Sequence, residues 1–181
     1  MAINYISGKI SDVHREAVKI ALRSWPIYKR SHRKEMANLV GCTGEVIVER
    51  WLKKRGLNPI IVGSIDHDME IVGSNGKIIN FDIKTKDRTV KPMPKYEATV
   101  PAYVYDKQKP DFYIFVSLYR PSNSAKNNFT EGYIVGAISR DDFDKKKYFE
   151  ESGRKSNGAM FFTDAWNVKI EDLDEPMSFP Y

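Results

Sequence analysis

Residues that make covalent or metal cross-links are scarce here: one cysteine and three histidines in 181 residues. Cys42 alone can close no internal disulfide, so the simplest setting is reducing and cytoplasmic. His14, His32 and His67 are scattered, and Cys42 completes no ligand spacing with them, which argues against a zinc set. Nothing beside Cys42 marks a paired base, so it does not read as a nucleophile. No apolar run approaches the roughly 18–20 residues that span a bilayer. Met1 to Lys9 lacks the apolar stretch of a secretory signal. Membrane residence is therefore not expected. Internal repeats, low-complexity tracts and linker-like stretches are also missing. One domain over residues 1–181 is the natural reading at this length.

What is present is charge, unevenly placed. Residues 1–60 carry 12 Lys+Arg against 5 Asp+Glu, a net of +7. Residues 61–130 carry 10 against 8, and residues 131–181 carry 7 against 11. A basic N-terminal part, about residues 1–56, invites a polyanion, because neutralising phosphates releases counterions. Its densest stretch holds Arg30, Arg33 and Lys34. The acidic tail, about residues 171–181, reads as loosely held.

Hydrophobic spacing divides the chain. Ser11–Ser24 has helical periodicity, with Val13, Ala17, Ile20 and Ala21 on one face and Pro26 after it. Glu35–Lys54 is a second helix, with Met36, Leu39, Val40, Ile47, Trp51 and Leu52 as its stripe and Gly56 as its stop. The period then changes. Asn58–Gly63 is a strand candidate. His67–Val72 and Lys77–Lys84 flank Gly73-Ser74-Asn75-Gly76 and should form a hairpin. Lys86–Lys95, with two prolines, reads as an exposed loop. Asp111–Tyr119 is a buried strand and Gly132–Ile138 another. Arg140–Phe149 reads as a short helix with Asp141 and Asp142 in its first turn. Ala159–Phe162 and Ala165–Ile170 are short late strands. Helices first and a mostly antiparallel sheet after them predict an α/β or α+β sandwich.

The chemistry concentrates in Ile79-Asn80-Phe81-Asp82-Ile83-Lys84. Side chains alternate along a strand, so Ile79, Phe81 and Ile83 share the core face and Asp82 and Lys84 share the other. Buried charges cost several kcal/mol unless they are paired or bind a metal. If the turn is Ser74-Asn75-Gly76 with Gly76 left-handed, paired residue numbers sum to 150. Asp68 then stands opposite Asp82, with Cβ atoms roughly 4.5–5.5 Å apart. Two carboxylates that close repel unless a divalent cation lies between them. A two-residue Asn75-Gly76 turn would instead bury Asp68 and Glu70 among apolar side chains, and is disfavoured. Asp66 and Glu70 share a face with Asp68 and are the alternative ligands. A third acid, Glu45, follows Gly41 and Gly44 in the second helix. Two glycines inside a helix cost about 1 kcal/mol each relative to alanine, and close approach to a sheet is a reason to bear that.

This ordered set of helix glutamate, hairpin aspartate and Asp82-Ile83-Lys84 resembles the PD-(D/E)XK nuclease superfamily, over roughly residues 35–86. His67 stands where the motif has proline. The resemblance implies an α/β (α+β) fold, a restriction-endonuclease-like mixed β-sheet flanked by helices. It implies a Mg²⁺- or Mn²⁺-dependent nuclease, an endonuclease first, with DNA as substrate. Asp68 and Asp82 would be metal ligands, Glu45 a ligand directly or through water, and Lys84 would polarise the attacking water. Lys86, Arg88, Lys91 and Lys95, just beyond the site strand, would grip nucleic acid with Arg30, Arg33 and Lys34. A homodimer is compatible with such an enzyme. The rival readings are a non-catalytic nucleic-acid-binding module on the same fold and a protein-interaction or assembly protein. Tyr96, Tyr103, Tyr105 and Tyr113 fit core or rim positions better than base stacking.

Overall fold

A computed structural model describes residues 5–24, 35–62, 64, 66–156 and 159–178. In chain order the elements are β1 (Ile6–Lys9), α1 (Asp12–Ser24), α2 (Glu35–Lys54), β2 (Ile60–Ile61), β3 (Met69–Val72), β4 (Ile78–Arg88), β5 (Glu97–Pro101) and α3 (Ala102–Tyr105). They continue with β6 (Phe112–Tyr119), β7 (Glu131–Ser139), α4 (Arg140–Lys146), β8 (Tyr148–Glu150), β9 (Lys155–Ser156), β10 (Ala159–Met160) and β11 (Ala165–Lys169). The fold is mixed α/β, with a curled sheet flanked by helices.

Six strands form the main sheet in the order β1-β7-β6-β4-β3-β2. Its pairings are antiparallel except β4 with β6, which run parallel. Asn80 and Asp111 start that parallel pair. The Asp111 carboxylate accepts the Asn80 N–H at 3.0 Å, and the Asn80 side-chain oxygen accepts the Asp111 N–H at 2.8 Å. A second sheet, β5-β11-β8, packs behind the first. In β6 both faces are apolar, as a central strand requires. Ile114, Val116 and Leu118 join α2 residues Val40, Val48 and Leu52 in one core. Tyr113 and Phe115 join Val100, Val168 and α4 residue Phe143 in another. The main sheet is thus covered by α2 on one side and by the small sheet with α4 on the other. No helix among the described residues is long and apolar enough to cross a membrane.

Helix α2 has the bounds its sequence predicts. Gly56 is left-handed at φ 78°, and the Leu57 N–H bonds the Leu52 carbonyl at 3.2 Å, which closes the helix end. Helix α1 also forms, with its buried face shifted: Ala17 and Ala21 pack inward as expected, joined by Val18 and Leu22. Val18 is its buried residue, packed on Cys42 and Val46, while Val13 and Ile20 are exposed. Neighbouring apolar positions compete for one interface, and α2 takes the stripe through Val18.

Other expectations need correction. Strand β4 continues through Lys86 to Arg88, where the sequence predicts a loop, because β6 pairs with it that far. The strand expected over residues 58–63 is only Ile60–Ile61. Helix α4 ends at Lys146 and Tyr148–Glu150 joins the second sheet. Ser139 caps α4, its side chain accepting the Asp142 N–H at 3.1 Å. The acidic tail is tied down as far as Asp174, which exchanges two backbone hydrogen bonds with Ala137 at 2.8 and 3.1 Å. Arg30, Arg33 and Lys34 lie outside the described residues.

Candidate active site

The hairpin register is the one the three-residue loop demands. Val72 pairs with Ile78, Ile71 with Ile79, Glu70 with Asn80 and Met69 with Phe81. Gly76 is left-handed at φ 76°, and the Gly73 N–H bonds the Lys77 carbonyl at 2.8 Å. One step beyond Met69, the Asp68 N–H bonds the Phe81 carbonyl at 3.2 Å. That bond is one residue off the register, so the paired ladder ends at Met69–Phe81, and Asp68 lies close enough to Asp82 to feel its charge without being its ladder partner. The Asp68 carboxylate also accepts the Ile83 N–H at 2.6 Å.

Met69, Ile71, Phe81 and Ile83 turn to the α2 core. Asp82 turns the other way, alongside Tyr113 of β6, and is only 1% exposed. Lys84, two residues on, points its ammonium to within 2.5 Å of an Asp82 carboxylate oxygen. The contact is an ion pair without hydrogen-bond direction. Both Asp82 oxygens are buried and neither accepts a hydrogen bond. The directed bond from Lys84 goes to the side-chain oxygen of Gln108, at 2.7 Å.

Gln108 carries no signal in the sequence. It follows α3, and Arg140 fixes it by donating to its backbone carbonyl at 2.5 Å. The same guanidinium donates to the Tyr113 hydroxyl at 2.9 Å and lies 3.9 Å from the Tyr105 ring centre. Arg140, Gln108 and Lys84 form a chain that orients the ammonium. Only long-range contacts create it, so local periodicity could not reveal it.

Helix α2 lies directly on β4, which brings Glu45 within range of the charges of Asp68, Asp82 and Lys84. A Cβ at Gly44 would fall 1.9 Å from the Thr85 hydroxyl oxygen, so only glycine permits that approach. Glu45 is 7% exposed. Burial first, and then the charges of Asp68 and Asp82, push its pKa well above the ordinary carboxylate range, against the pull of Lys84. Asp68 keeps an edge to solvent, yet enclosure of its carboxyl and the Asp82 charge push its pKa up to about 7. Lys84 and the Ile83 N–H oppose the rise without cancelling it.

Three enclosed carboxyl groups and one ammonium thus lie within range of one another's charge, with negative charge in excess. Among the described residues no three His, Cys, Asp or Glu side chains are gathered tightly enough to hold a metal ion as they stand. Asp68 is engaged by a backbone N–H, and Lys84 stands against Asp82. The donor set still fits a hard divalent cation. Its donors are carboxylate oxygens, two of them buried and without hydrogen bonds, and raised acid pKa values mark a deficit of positive charge. Asp68 and Asp82 could hold Mg²⁺ or Mn²⁺, with Glu45 acting directly or through water.

The alternative ligands are placed elsewhere. Asp66 is exposed, and Glu70 bonds His67 at 2.8 Å. Cys42 is buried, and burial pushes its thiol up to about 12, so it is inert near neutral pH. Of the cations expected to grip nucleic acid, Lys86 is half-buried beside the site. Arg88 is tied to the Ser117 hydroxyl at 3.3 Å and the Glu97 carbonyl at 2.7 Å, so it braces β4 against β5. Lys91 pairs with Glu131 at 3.2 Å, and Lys95 is exposed on the same loop. That loop begins six strand residues after Asp82, roughly 20 Å along β4, so neither lysine adjoins the carboxylates.

A pH dependence follows from the raised acids. An acid whose folded pKa is raised binds its proton more tightly when folded. Its contribution to stability is complete below the unfolded value, near 3.8 for Asp68, and is lost as pH rises through about 7. Without metal, the melting temperature is expected to fall between about pH 4 and pH 8. Millimolar Mg²⁺ should restore it above pH 7, because a ligand of the folded state alone stabilises that state. A scan of Tm against pH with Mg²⁺ or EDTA checks both; a Tm that rises steadily to pH 8 without metal would contradict the assignment.

Comparison with protein-family models, curated proteins and solved structures gives no match to this chain.

Proposed function

We propose that this chain is a metal-dependent nuclease of the PD-(D/E)XK type, hydrolysing phosphodiester bonds in nucleic acid, with DNA as the first substrate to test. One observation carries the reading. Asp82 is a buried carboxylate with no hydrogen bond to either oxygen, close to Asp68 and paired with Lys84. An apolar pair in place of Asp82 and Lys84 would serve stability as well or better, since desolvating a buried ion pair often costs more than its attraction returns. Retention of the charge supports a use for it.

In this reading Asp68 and Asp82 would hold Mg²⁺ or Mn²⁺. Bound there, the ion would supply positive charge to the phosphoryl oxygens and acidify a coordinated water. Glu45 adds negative charge behind the two aspartates and can hold a water by hydrogen bond. Lys84 is aimed by Gln108, so its ammonium can donate to the attacking water or to the phosphoryl oxygen as charge builds there. The restriction-endonuclease-like identity of the fold and a homodimeric assembly belong to the same proposal.

The test is incubation of the purified chain with linear, circular and branched DNA, in Mg²⁺, Mn²⁺ or EDTA. Cutting in either metal and none in EDTA is expected. Binding without cutting of any substrate would move the assignment to a non-catalytic nucleic-acid-binding module.

A further inference from the structure

Strand β3 covers β4 only as far as Met69 opposite Phe81. Beyond that point, among the described residues, β4 pairs with β6 alone, on its other side. The Ile83 N–H points away from β6, to Asp68. Backbone direction alternates along a strand, so the N–H and C=O groups of Thr85 and Asp87 point to this same edge. A cleft of about 500 Å³ follows it. Its walls are the start of α2, at Ala37 and Gly41, and the small sheet, at Thr99 and Ala165.

The cleft has a chemical character. Lys84, Lys86 and Arg88 lie along it at alternate positions of β4, about 6.6 Å apart, with Asp87 and Glu97 in the same lining and Lys84 paired with Asp82. The Lys86 ammonium stands 3.5 Å from the Thr99 hydroxyl and 5.2 Å from the Phe161 ring centre. Arg88 closes the far end through its bonds to β5. At the mouth, Tyr103, Met160 and Phe162 remain 50%, 46% and 58% exposed. Large apolar side chains exposed beside a row of cations match a backbone-tracking groove with stacking faces for bases. The volume suits one small ligand, and a duplex is too wide to enter.

We propose that this cleft binds a single strand of nucleic acid, its backbone passing Lys86 toward Lys84 and its bases resting on Phe162 and Tyr103. The substrate of the Asp68–Asp82 site is then a single-stranded segment, such as a free end, an overhang or a flap, and not the interior of a duplex. The substrate assignment rests on the nuclease reading; the binding assignment does not.

The two are separable by experiment. Fluorescence anisotropy of the full chain in EDTA compares a short labelled DNA strand, the same sequence as RNA, and the blunt DNA duplex. At least one single strand is expected to bind about tenfold or more tighter than the duplex, weakening as salt rises. Phe162→Ala and Lys86→Met should each weaken single-strand binding about tenfold. Phe162 is exposed, so its variant folds and keeps the test decisive. Duplex binding as tight as single-strand binding, or wild-type binding by both variants, overturns the proposal. Cutting is scored separately in Mg²⁺. Duplex cutting without single-strand preference keeps the nuclease and removes the channel. Single-strand binding that both variants weaken, without cutting, keeps the channel and removes the nuclease.

Discussion

Asp82→Asn should lower metal-dependent cutting by at least about 10²–10³-fold, the usual cost of removing a group that stabilises transition-state charge. The amide has the shape of the carboxylate, so the strand and its neighbours need not move. Three electrostatic relations change together. The metal loses a charged ligand. Lys84 loses the carboxylate at 2.5 Å and keeps Gln108 at 2.7 Å. Asp68 and Glu45 lose a charge that holds their pKa values up. The fall of Tm with rising pH should therefore flatten in the variant, and the gain in Tm from Mg²⁺ should vanish. Cutting assays and melting curves at two pH values read all three. A variant that cuts normally, or that still gains full stability from Mg²⁺, would remove Asp82 from the site.

Gly44→Ala should cost about 2 kcal/mol of stability, even though alanine favours a helix over glycine by about 1 kcal/mol. The new Cβ would lie 1.9 Å from the Thr85 hydroxyl oxygen and 2.9 Å from Thr85 Cβ and Cγ2. Those atoms belong to the branch point of a stiff side chain on a central strand, so α2 must lift. Overpacking of this kind costs typically 1–3 kcal/mol or more. A net loss near 2 kcal/mol lowers Tm by about 4–8 °C at this chain length. Lifting α2 also withdraws Glu45, so cutting should fall further than stability explains. Gly41→Ala is the control. Its Cβ would meet only the Glu45 carboxylate, at 4.0 Å, and helix propensity should leave Tm unchanged or higher. Equal behaviour of the two variants would refute close packing as the role of Gly44.

Much of the site is legible in the amino-acid sequence, because its central part is local. The turn Ser74-Asn75-Gly76 sets the register from Val72–Ile78 to Met69–Phe81, and the Asp68 carboxylate beyond it is held by the Ile83 N–H near Asp82. Alternation of Phe81, Asp82, Ile83 and Lys84 sets which side chains face the core. Helix α2 and its contact face follow from spacing, and its two glycines signal a close approach, which Gly44 makes and Gly41 does not. What the sequence hides is non-local. Polar residues Lys86, Asp87 and Arg88 resemble a loop until β6 and β5 satisfy them. The small sheet unites β5, β8 and β11 from distant parts of the chain. Tyr103 sits at a cleft mouth that exists only when that sheet is in place. Val13 and Ile20 have the spacing of a buried face, and only the position of α2 decides against them.

The lone parallel pairing in the main sheet has a consequence in time. The β3–β4 hairpin closes over a three-residue turn, whereas β4 and β6 meet only after residues 89–111 have returned across the sheet. Closure entropy rises with the logarithm of loop length, and non-local pairing forms more slowly. The neighbouring aspartates are therefore an early product of folding. The glutamine that aims the lysine arrives with the crossover, late. A chain emerging during synthesis would present its acid pair first and acquire an aligned ammonium only when the crossover is complete, so the full constellation is reserved for the finished fold.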